Sequence, residues 1–251
     1  PGAAPQAGPA APERGGAQAA IDELFPVGTP TPDPEAGAKR IRNLVRQLGG
    51  EPHERQRAVE QLSQAGRQAV PELREALKDP FKYTRMGALS VLAYIRDRAS
   101  APNIKPLLAD EDPGVRAEAA RALGKMRHPP AIVWLAGCAD DPEPRVRLAA
   151  VEALGRMRSD DAAALLLAAL SDPDPAVRRA AAQELPGFSG PAVVDGLLQA
   201  TRDPDVKTRG YAARALGELG DRRAVPRLEE LRGSGNAFLR REASRALQRL
   251  R

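Results

Sequence analysis

Seven arginines stand at one register of the sequence, and a guanidinium can bind carboxylates or phosphates through two parallel hydrogen bonds. They are separated by 30 residues once and by 31 residues five times, at Arg55, Arg85, Arg116, Arg147, Arg178, Arg209 and Arg240. Because this arginine belongs to every repeat and not to one place, we interpret the row as a structural ladder. Asp112, Asp174 and Asp205 are its candidate partners, and a phosphate-binding row is the alternative.

Residues suited to catalysis or metal binding are scarce in this chain. It has two histidines, His53 and His128, and one cysteine, so an internal disulfide and a CxxC metal site are excluded. No phosphate-binding glycine loop or nucleophile elbow occurs. We therefore predict no catalytic residue, no metal and no cofactor, and we favour a protein that is not an enzyme while leaving that question open.

The arginines mark a repeat that covers most of the chain. The unit DPGVRAEAARALG at residues 112–124 returns in similar form from Asp141, Asp172 and Asp203. The leucine of its ALG motif falls at Leu62, Leu92, Leu123, Leu154, Leu185, Leu216 and Leu247. A fixed period of this size predicts a solenoid.

Each repeat is predicted to form two helices. The first follows an acidic residue and a proline, such as Asp141-Pro142, which suits an N-cap followed by the first helical position. The glycine of the ALG motif is expected to permit a tight exit from this helix. The second helix is predicted to start near the sequence Ala-Val-Pro, as at residues 224–226.

The two ends of the chain differ from the repeats. Residues 1–32 are rich in Pro, Ala and Gly and are predicted to be a disordered tail or linker. Residues 33–251 are predicted to form the solenoid. It consists of an N-terminal capping helix (33–50), six repeats (51–231) and a C-terminal capping helix (232–251), which is a seventh pair without its second helix.

The pattern DPxxxVRxxAAxALGxxGxxxAVPxLxxxL resembles the HEAT-like repeats of the phycobilisome-lyase (PBS lyase) type. The resemblance implies an all-α fold, a right-handed α–α superhelix whose second helices line the concave face. Such repeats serve scaffolds, adaptors, bilin lyases and a few enzymes, so the resemblance is specific for the fold and not for the function. Deoxyhypusine hydroxylase needs several His-Glu pairs, and His53-Glu54 is the one such pair here, which excludes that activity.

Repeats three to five depart from their neighbours on the second helix. The outer repeats carry charges on its outer face, and the central repeats do not. We therefore predict an apolar groove on the concave face, since exposed apolar surface marks interaction sites. Its predicted residues are Trp134 and Leu165 at the centre, with Cys138, Gly137, Ala168, Gly196 and Gln199. The alternative is that curvature of the superhelix buries these positions.

The predicted function is a non-catalytic scaffold or adaptor, a monomer that binds a peptide or protein segment in this groove. A bilin-lyase-like or other small-ligand protein is the second hypothesis. Nucleic-acid binding ranks third, because the formal charge of +5 is concentrated in residues 39–57 and 232–251 and not along the groove. No apolar run approaches the roughly 20 residues of a membrane span.

The compartment stays open at this point. The Ala and Arg content is typical of a bacterial source. The tail resembles a spacer after an export signal or lipid anchor, and it equally resembles a linker to another domain. The sequence is therefore compatible with a cytoplasmic protein and with an exported or periplasmic one.

Overall fold

The computed structural model describes residues 34–251, and the predicted tail of residues 1–32 lies outside them. The chain divides into two units, Pro1–Arg40 and Ile41–Arg251. Of the first unit, residues 34–40 are described, and they are helical. The contacts discussed below all lie within the second unit.

The described residues form α-helices and short 3₁₀ segments, and none of them lies in a β-strand. In chain order the α-helices are α1 (Pro34–Gln47), α2 (Pro52–Ala65), α3 (Val70–Ala76), α4 (Lys82–Ile95), α5 (Ala101–Ile104), α6 (Pro113–Met126), α7 (Ala131–Cys138), α8 (Pro144–Gly155), α9 (Asp160–Ala169), α10 (Pro175–Glu184), α11 (Pro191–Ala200), α12 (Val206–Leu219), α13 (Val225–Arg232) and α14 (Ala237–Arg249). The even-numbered helices are the first helices of the repeats. The odd-numbered helices from α3 to α13 are the second helices.

The helices pack in two layers. Each first helix packs along the first helix of the next repeat, and each second helix packs against the first helix that follows it. Small side chains allow this close approach, and residues such as Ala119, Leu123, Ala150 and Leu154 have no exposed surface. One hydrophobic cluster runs from Ile41 to Leu250. The predicted all-α HEAT-like solenoid is therefore confirmed.

At two of its three occurrences, the glycine of the ALG motif has a different role from the predicted one. Gly124 lies inside α6, which continues to Met126, so it does not end the helix. A Cβ atom at this position would stand 2.6 Å from the Cα atom of Ala153 on α8. Gly217 is similar, with 2.5 Å to the Cα atom of Ala246. Glycine at these positions lets two neighbouring first helices touch through their backbones.

The predicted N-cap is confirmed at Asp112, which is followed by Pro113, but it is wrong at Asp141, Asp172 and Asp203. The Asp-Pro pairs at Asp141, Asp172 and Asp203 lie two residues before the observed N-caps, which are Glu143, Asp174 and Asp205. The side chain of each earlier aspartate accepts a hydrogen bond from the backbone N–H of the N-cap residue, at 2.7–2.9 Å. It thus fixes the turn before the helix, and the second acidic residue occupies the position where a side chain can accept from the first free N–H groups.

The repeated arginines connect successive repeats. One terminal nitrogen donates to backbone carbonyls in the turn before the arginine's own helix, for example from Arg147 to Asp141 and Pro142 at 2.8 and 3.2 Å. The other guanidinium nitrogens reach the turn of the next repeat and donate to its aspartate. The observed pairs are Arg85–Asp110, Arg116–Asp141, Arg147–Asp172 and Arg178–Asp203. The last three pairs are bidentate, with donor–acceptor distances of 2.7–3.0 Å.

The predicted arginine partners were therefore the wrong carboxylates. Asp112 accepts from the backbone of Gly114 and from Lys82, Asp174 accepts from the backbone of Ala176, and Asp205 accepts from Thr208. These three are helix caps. A carboxylate at an N-cap points along its own helix, whereas the aspartate two residues earlier faces the arginine of the preceding repeat.

The ladder of ion pairs ends at Arg209, because the next repeat has no aspartate at the acceptor position. Arg209 keeps the two backbone contacts, to the carbonyls of Asp203 and Pro204 at 2.7 and 3.1 Å. Its carboxylate partner would stand 25 residues later, where the sequence has Ser234. Ser234 keeps the turn contact, because its hydroxyl accepts from the backbone N–H of Asn236 at 3.2 Å.

We expect Ser234→Asp to extend the ladder by one pair. The new carboxylate would accept from Arg209 and from Asn236, as Asp203 accepts from Arg178 and Asp205. The expected gain in the free energy of unfolding is about 1 kcal/mol, since the site is only partly buried. Urea denaturation checks it, with Ser234→Asn as the uncharged control. A Ser234→Asp variant no more stable than Ser234→Asn would contradict this account of the ladder.

Candidate functional site: a cleft between repeats three and four

A cleft of about 630 Å³ opens between the second helices of repeats three and four. One wall is formed by the end of α7, with Ala136 and Ala139, and the opposite wall by α9. From α9 come Leu165, Ala168 and Ala169. The walls are therefore apolar and made of small residues, which leaves open space between two helices.

The floor of the cleft is polar and already satisfied. Arg147 and Asp172, one pair of the ladder, line it together with Asp141. The hydrogen bond to Asp172 raises the pKa of Arg147, and Asp141 is bound by Arg116. These three charges are held in ion pairs, whereas the exposed carboxylate of Asp140, which also lines the cleft, has no cation within 4 Å among the described residues. A ligand in the cleft would therefore meet apolar walls, a paired polar floor and one unpaired carboxylate.

Two of the predicted groove residues line this cleft. Leu165 is half-buried, and Ala168 is exposed on the same helix. They differ from the corresponding positions of the outer repeats, where Arg227 and Glu230 carry charge. The loss of charge noticed in the sequence therefore coincides with an open apolar space at these two residues.

Trp134 lies on α7 but does not line the cleft. Its ring centroid is 5.5 Å from that of His128, and the Lys105 amino nitrogen lies 5.3 Å from the ring centroid. Lys105 belongs to repeat two, so Trp134 faces the preceding repeat. Burial, with the charge of Arg98, lowers the pKa of His128, which keeps its ring neutral at pH 7. Trp134 is thus partly buried and contacts a cation, and it lies on the helix whose C-terminal end forms one wall of the cleft.

The remaining predicted residues do not meet at one place. Gly137 and Gln199 are exposed, and a Cβ atom at Gly137 would touch nothing within 4 Å. The space beside Gly196 is already filled by Leu167. A Cβ atom at Gly196 would stand 2.6 Å from the Cδ2 atom of Leu167. Cys138 is buried in the core, and burial raises the pKa of its thiol to about 11. That thiol stays protonated at neutral pH and has no surface for a ligand.

Sequence reasoning missed a second cleft, of about 560 Å³, at the turns before α4 and α6. Phe81 and Tyr83 line it, with exposed fractions of 69% and 44%. Phe81 occupies the N-cap position of α4 and caps nothing with its side chain. The guanidinium carbon of Arg55 lies 4.0 Å from the ring centroid of Tyr83. The signal was present in the sequence, because the other repeats have an acidic residue or Asn where Phe81 stands.

Within residues 34–251, no group of three or more His, Cys, Asp or Glu side chains is arranged to hold a metal ion. His53 is exposed near the start of α2. The helices of the same range include none with the length and hydropathy needed to cross a membrane.

Comparison with protein families places the fold among known repeats. A model described as HEAT repeats matches residues 70–155, 101–185, 133–206 and 163–249. A model described as PBS lyase HEAT-like repeat matches residues 54–79. Among curated protein sequences, none matches significantly.

Three solved structures have similar folds. YibA of E. coli is 18% identical with a TM-score of 0.60, over 87% of this chain and 96% of YibA. Kap95p, solved with RanGDP, is 14% identical with a TM-score of 0.67, over 93% of this chain and 38% of Kap95p. The CpcE–CpcF complex of phycocyanin lyase from Nostoc sp. PCC7120 is 21% identical with a TM-score of 0.51, over 82% of this chain and 92% of the matched one. At these identities the likeness shows the fold alone.

Proposed function

The chain belongs to the HEAT-repeat family, and from that premise we propose that it is a non-catalytic scaffold that binds an extended peptide segment of a partner protein. The binding site is the cleft between α7 and α9. The observation that supports this most is the open apolar space at Ala136, Leu165 and Ala168, above the ion pair of Arg147 and Asp172. Exposed apolar surface in a concave site is the usual mark of an interaction site.

The arrangement of the two clefts favours an extended ligand. The Phe81–Tyr83 cleft lies at the turns before α4 and α6, and the Leu165–Ala168 cleft lies at the turns before α8 and α10. Both are thus on the same row of turns, two repeats apart. Neighbouring packed helices are about 8–10 Å apart, so the clefts are separated by roughly 20 Å. An extended peptide of about six residues covers that distance.

The residues also suit a peptide in their chemistry. Aromatic residues such as Phe81 and Tyr83 often anchor protein interfaces, and small apolar walls accept an aliphatic or aromatic side chain. Trp134, beside the cleft and contacted by Lys105, offers a further contact to a longer segment. The lining includes the carboxylate of Asp140 and the hydroxyl of Ser171 but no histidine or lysine that could activate them, so we propose no catalytic step.

A small-ligand protein of the phycocyanin-lyase kind is the second candidate. The volume of about 630 Å³ falls within the range of small-molecule sites, roughly 300–1,000 Å³. One fold relative is described as phycocyanin lyase. A small ligand would occupy one cleft, whereas the peptide would contact both, and this difference separates the two proposals.

The test uses peptides of about twelve residues selected from a random library against the full chain, with their affinities measured by fluorescence anisotropy. Ala168→Arg places a long charged side chain in the cleft and is expected to weaken binding at least tenfold, since a charge without a partner is costly against apolar walls. Ala164 is exposed on the same helix and does not line the cleft, so Ala164→Arg is the matched control.

Equal affinities of the Ala168→Arg variant and the wild type would exclude the cleft as the peptide site. The second candidate would be supported instead if a bilin bound the wild type, if Ala168→Arg abolished that binding, and if Phe81→Ser left it unchanged. Circular dichroism of each variant checks that the helices are retained.

A further inference from the structure

A cavity of about 520 Å³ lies on the side of the first helices, at the C-terminal ends of α4, α6 and α8. Its lining contains four cationic side chains and no carboxylate. The cations are Arg96, Lys125, Arg127 and Arg156. Tyr94, with 72% of its surface exposed, stands at the same cavity. This is a different surface from the peptide cleft.

Three of these four cations have no carboxylate partner. Among the described residues, no carboxylate lies within 4 Å of the charged groups of Arg96, Lys125 or Arg127. The acidic residues of α6 and α8, Glu118 and Glu152, both pair with Arg121, at 3.6 and 3.5 Å. Glu118 also accepts from the hydroxyl of Ser90, which lines the cavity, at 2.8 Å. Because Arg121 balances one of these two carboxylates, the four cavity cations still leave an excess of positive charge, which attracts anions.

The backbone at two of these arginines is in the left-handed region. Arg96 has a φ angle of 57° and Arg127 has one of 49°, immediately after α4 and α6. The equivalent residues of repeats one and six are Gly66 and Gly220, also with positive φ. Glycine adopts this conformation without strain, and an arginine does not. A cation near a helix C-terminus offsets part of that strain. Arg158, the equivalent residue of repeat four, has a φ angle of 55° and lies outside the cavity, so this backbone conformation recurs with the repeat and the cavity is distinguished by its charge.

We propose that this cavity binds a ligand carrying two or more phosphate groups, such as the oligophosphate chain of a nucleotide. Phosphates concentrate charge and accept several hydrogen bonds from guanidinium groups in a small volume. The exposed ring of Tyr94 can stack on a planar group of the same ligand. A nucleic-acid strand fits less well, because such sites place aromatic residues along a channel and this cavity has one.

The test measures binding of tripolyphosphate and ATP to the full chain by isothermal titration calorimetry at low ionic strength. The variant is Arg96→Gly/Arg127→Gly, in which both residues suit the left-handed backbone. We expect binding to fall roughly 100-fold, about tenfold for each charged hydrogen-bonding group removed. We also expect the thermal unfolding midpoint to stay equal or rise, because glycine relieves the backbone strain. A role in folding alone would lower the midpoint.

Arg158→Gly is the matched control. Arg158 also has a positive φ, 55°, but its guanidinium carbon lies 5.7 Å from the ring centroid of Phe188, and it does not line the cavity. This variant should bind both probes like the wild type. The proposal is overturned if the wild type binds neither probe, or if the double variant binds as tightly as the wild type. Equal binding of a hexaglutamate peptide, or tighter binding of single-stranded oligothymidylate, would overturn it too.

Discussion

Replacing Asp172 with alanine should lower the free energy of unfolding by about 3–5 kcal/mol, the cost of breaking a buried ion pair by removing one partner. The side chains of Arg147 and Asp172 are only 11% and 7% exposed, and they are joined by hydrogen bonds of 2.8 and 2.9 Å. The guanidinium cannot lose its proton to escape this cost. Asp172 also accepts from the backbone N–H of Asp174, so the turn before α10 loses a contact at the same time.

Urea denaturation followed by circular dichroism measures this effect, and hydrogen exchange localises it to α8 and α10, because repeat arrays can unfold in segments. Glu75→Ala is the control. Its pair with Lys78 is about 70% exposed on both sides, and removing it should change stability by less than about 0.5 kcal/mol. If Asp172→Ala cost no more than Glu75→Ala, the ladder would not hold the repeats together.

Gly124→Ala should also destabilise the protein strongly, by about 3 kcal/mol, although alanine is the better helix former. The new Cβ atom would overlap the backbone of Ala153, at 2.6 Å from its Cα atom and 2.7 Å from its Cβ atom. Neither atom belongs to a flexible side chain, so α6 and α8 would have to separate. Thermal unfolding checks the prediction.

Gly137→Ala serves as the opposite case. Gly137 is helical and exposed, and a Cβ atom there has no neighbour within 4 Å. The same substitution should therefore stabilise the protein by roughly 0.5–1 kcal/mol. If Gly124→Ala and Gly137→Ala changed the stability of the protein in the same direction, the backbone contact between first helices would not control the packing.

The repeat and its helices could be predicted from the sequence because their causes are local and recur. The 31-residue period, the apolar stripe around Leu123 and the proline at helix starts all lie within one repeat. Within the predicted C-terminal cap of residues 232–251, the structure has the helix Ala237–Arg249.

The roles of the aspartates could not be assigned locally. In Asp172-Pro173-Asp174, either carboxylate can cap a helix. The choice is made by Arg147, 25 residues earlier, which holds Asp172 in the preceding turn. For the same reason the sequence did not distinguish a glycine that ends a helix from Gly124, whose neighbour is on another repeat.

The cationic cavity could not be recognised from the net charge summed along the sequence. Over a long window, the ladder arginines cancel against their aspartates, and the sum conceals the unpaired Arg96, Lys125 and Arg127. Charge counted along a chain also adds both faces of a helix, so it does not show which cations share a cavity. The position of Trp134 was missed similarly, since its contact with Lys105 joins two repeats.

The most direct test of peptide binding in the α7–α9 cleft is photocrosslinking from a selected peptide that carries a benzophenone at its central residue. After illumination of the complex with the full chain, mass spectrometry identifies the attached residue. The account predicts attachment to the cleft walls, at Ala136, Leu165 or Ala168, and loss of that product in Ala168→Arg but not in Ala164→Arg. Attachment to the first helices, with Ala136, Leu165 and Ala168 unlabelled, would contradict it.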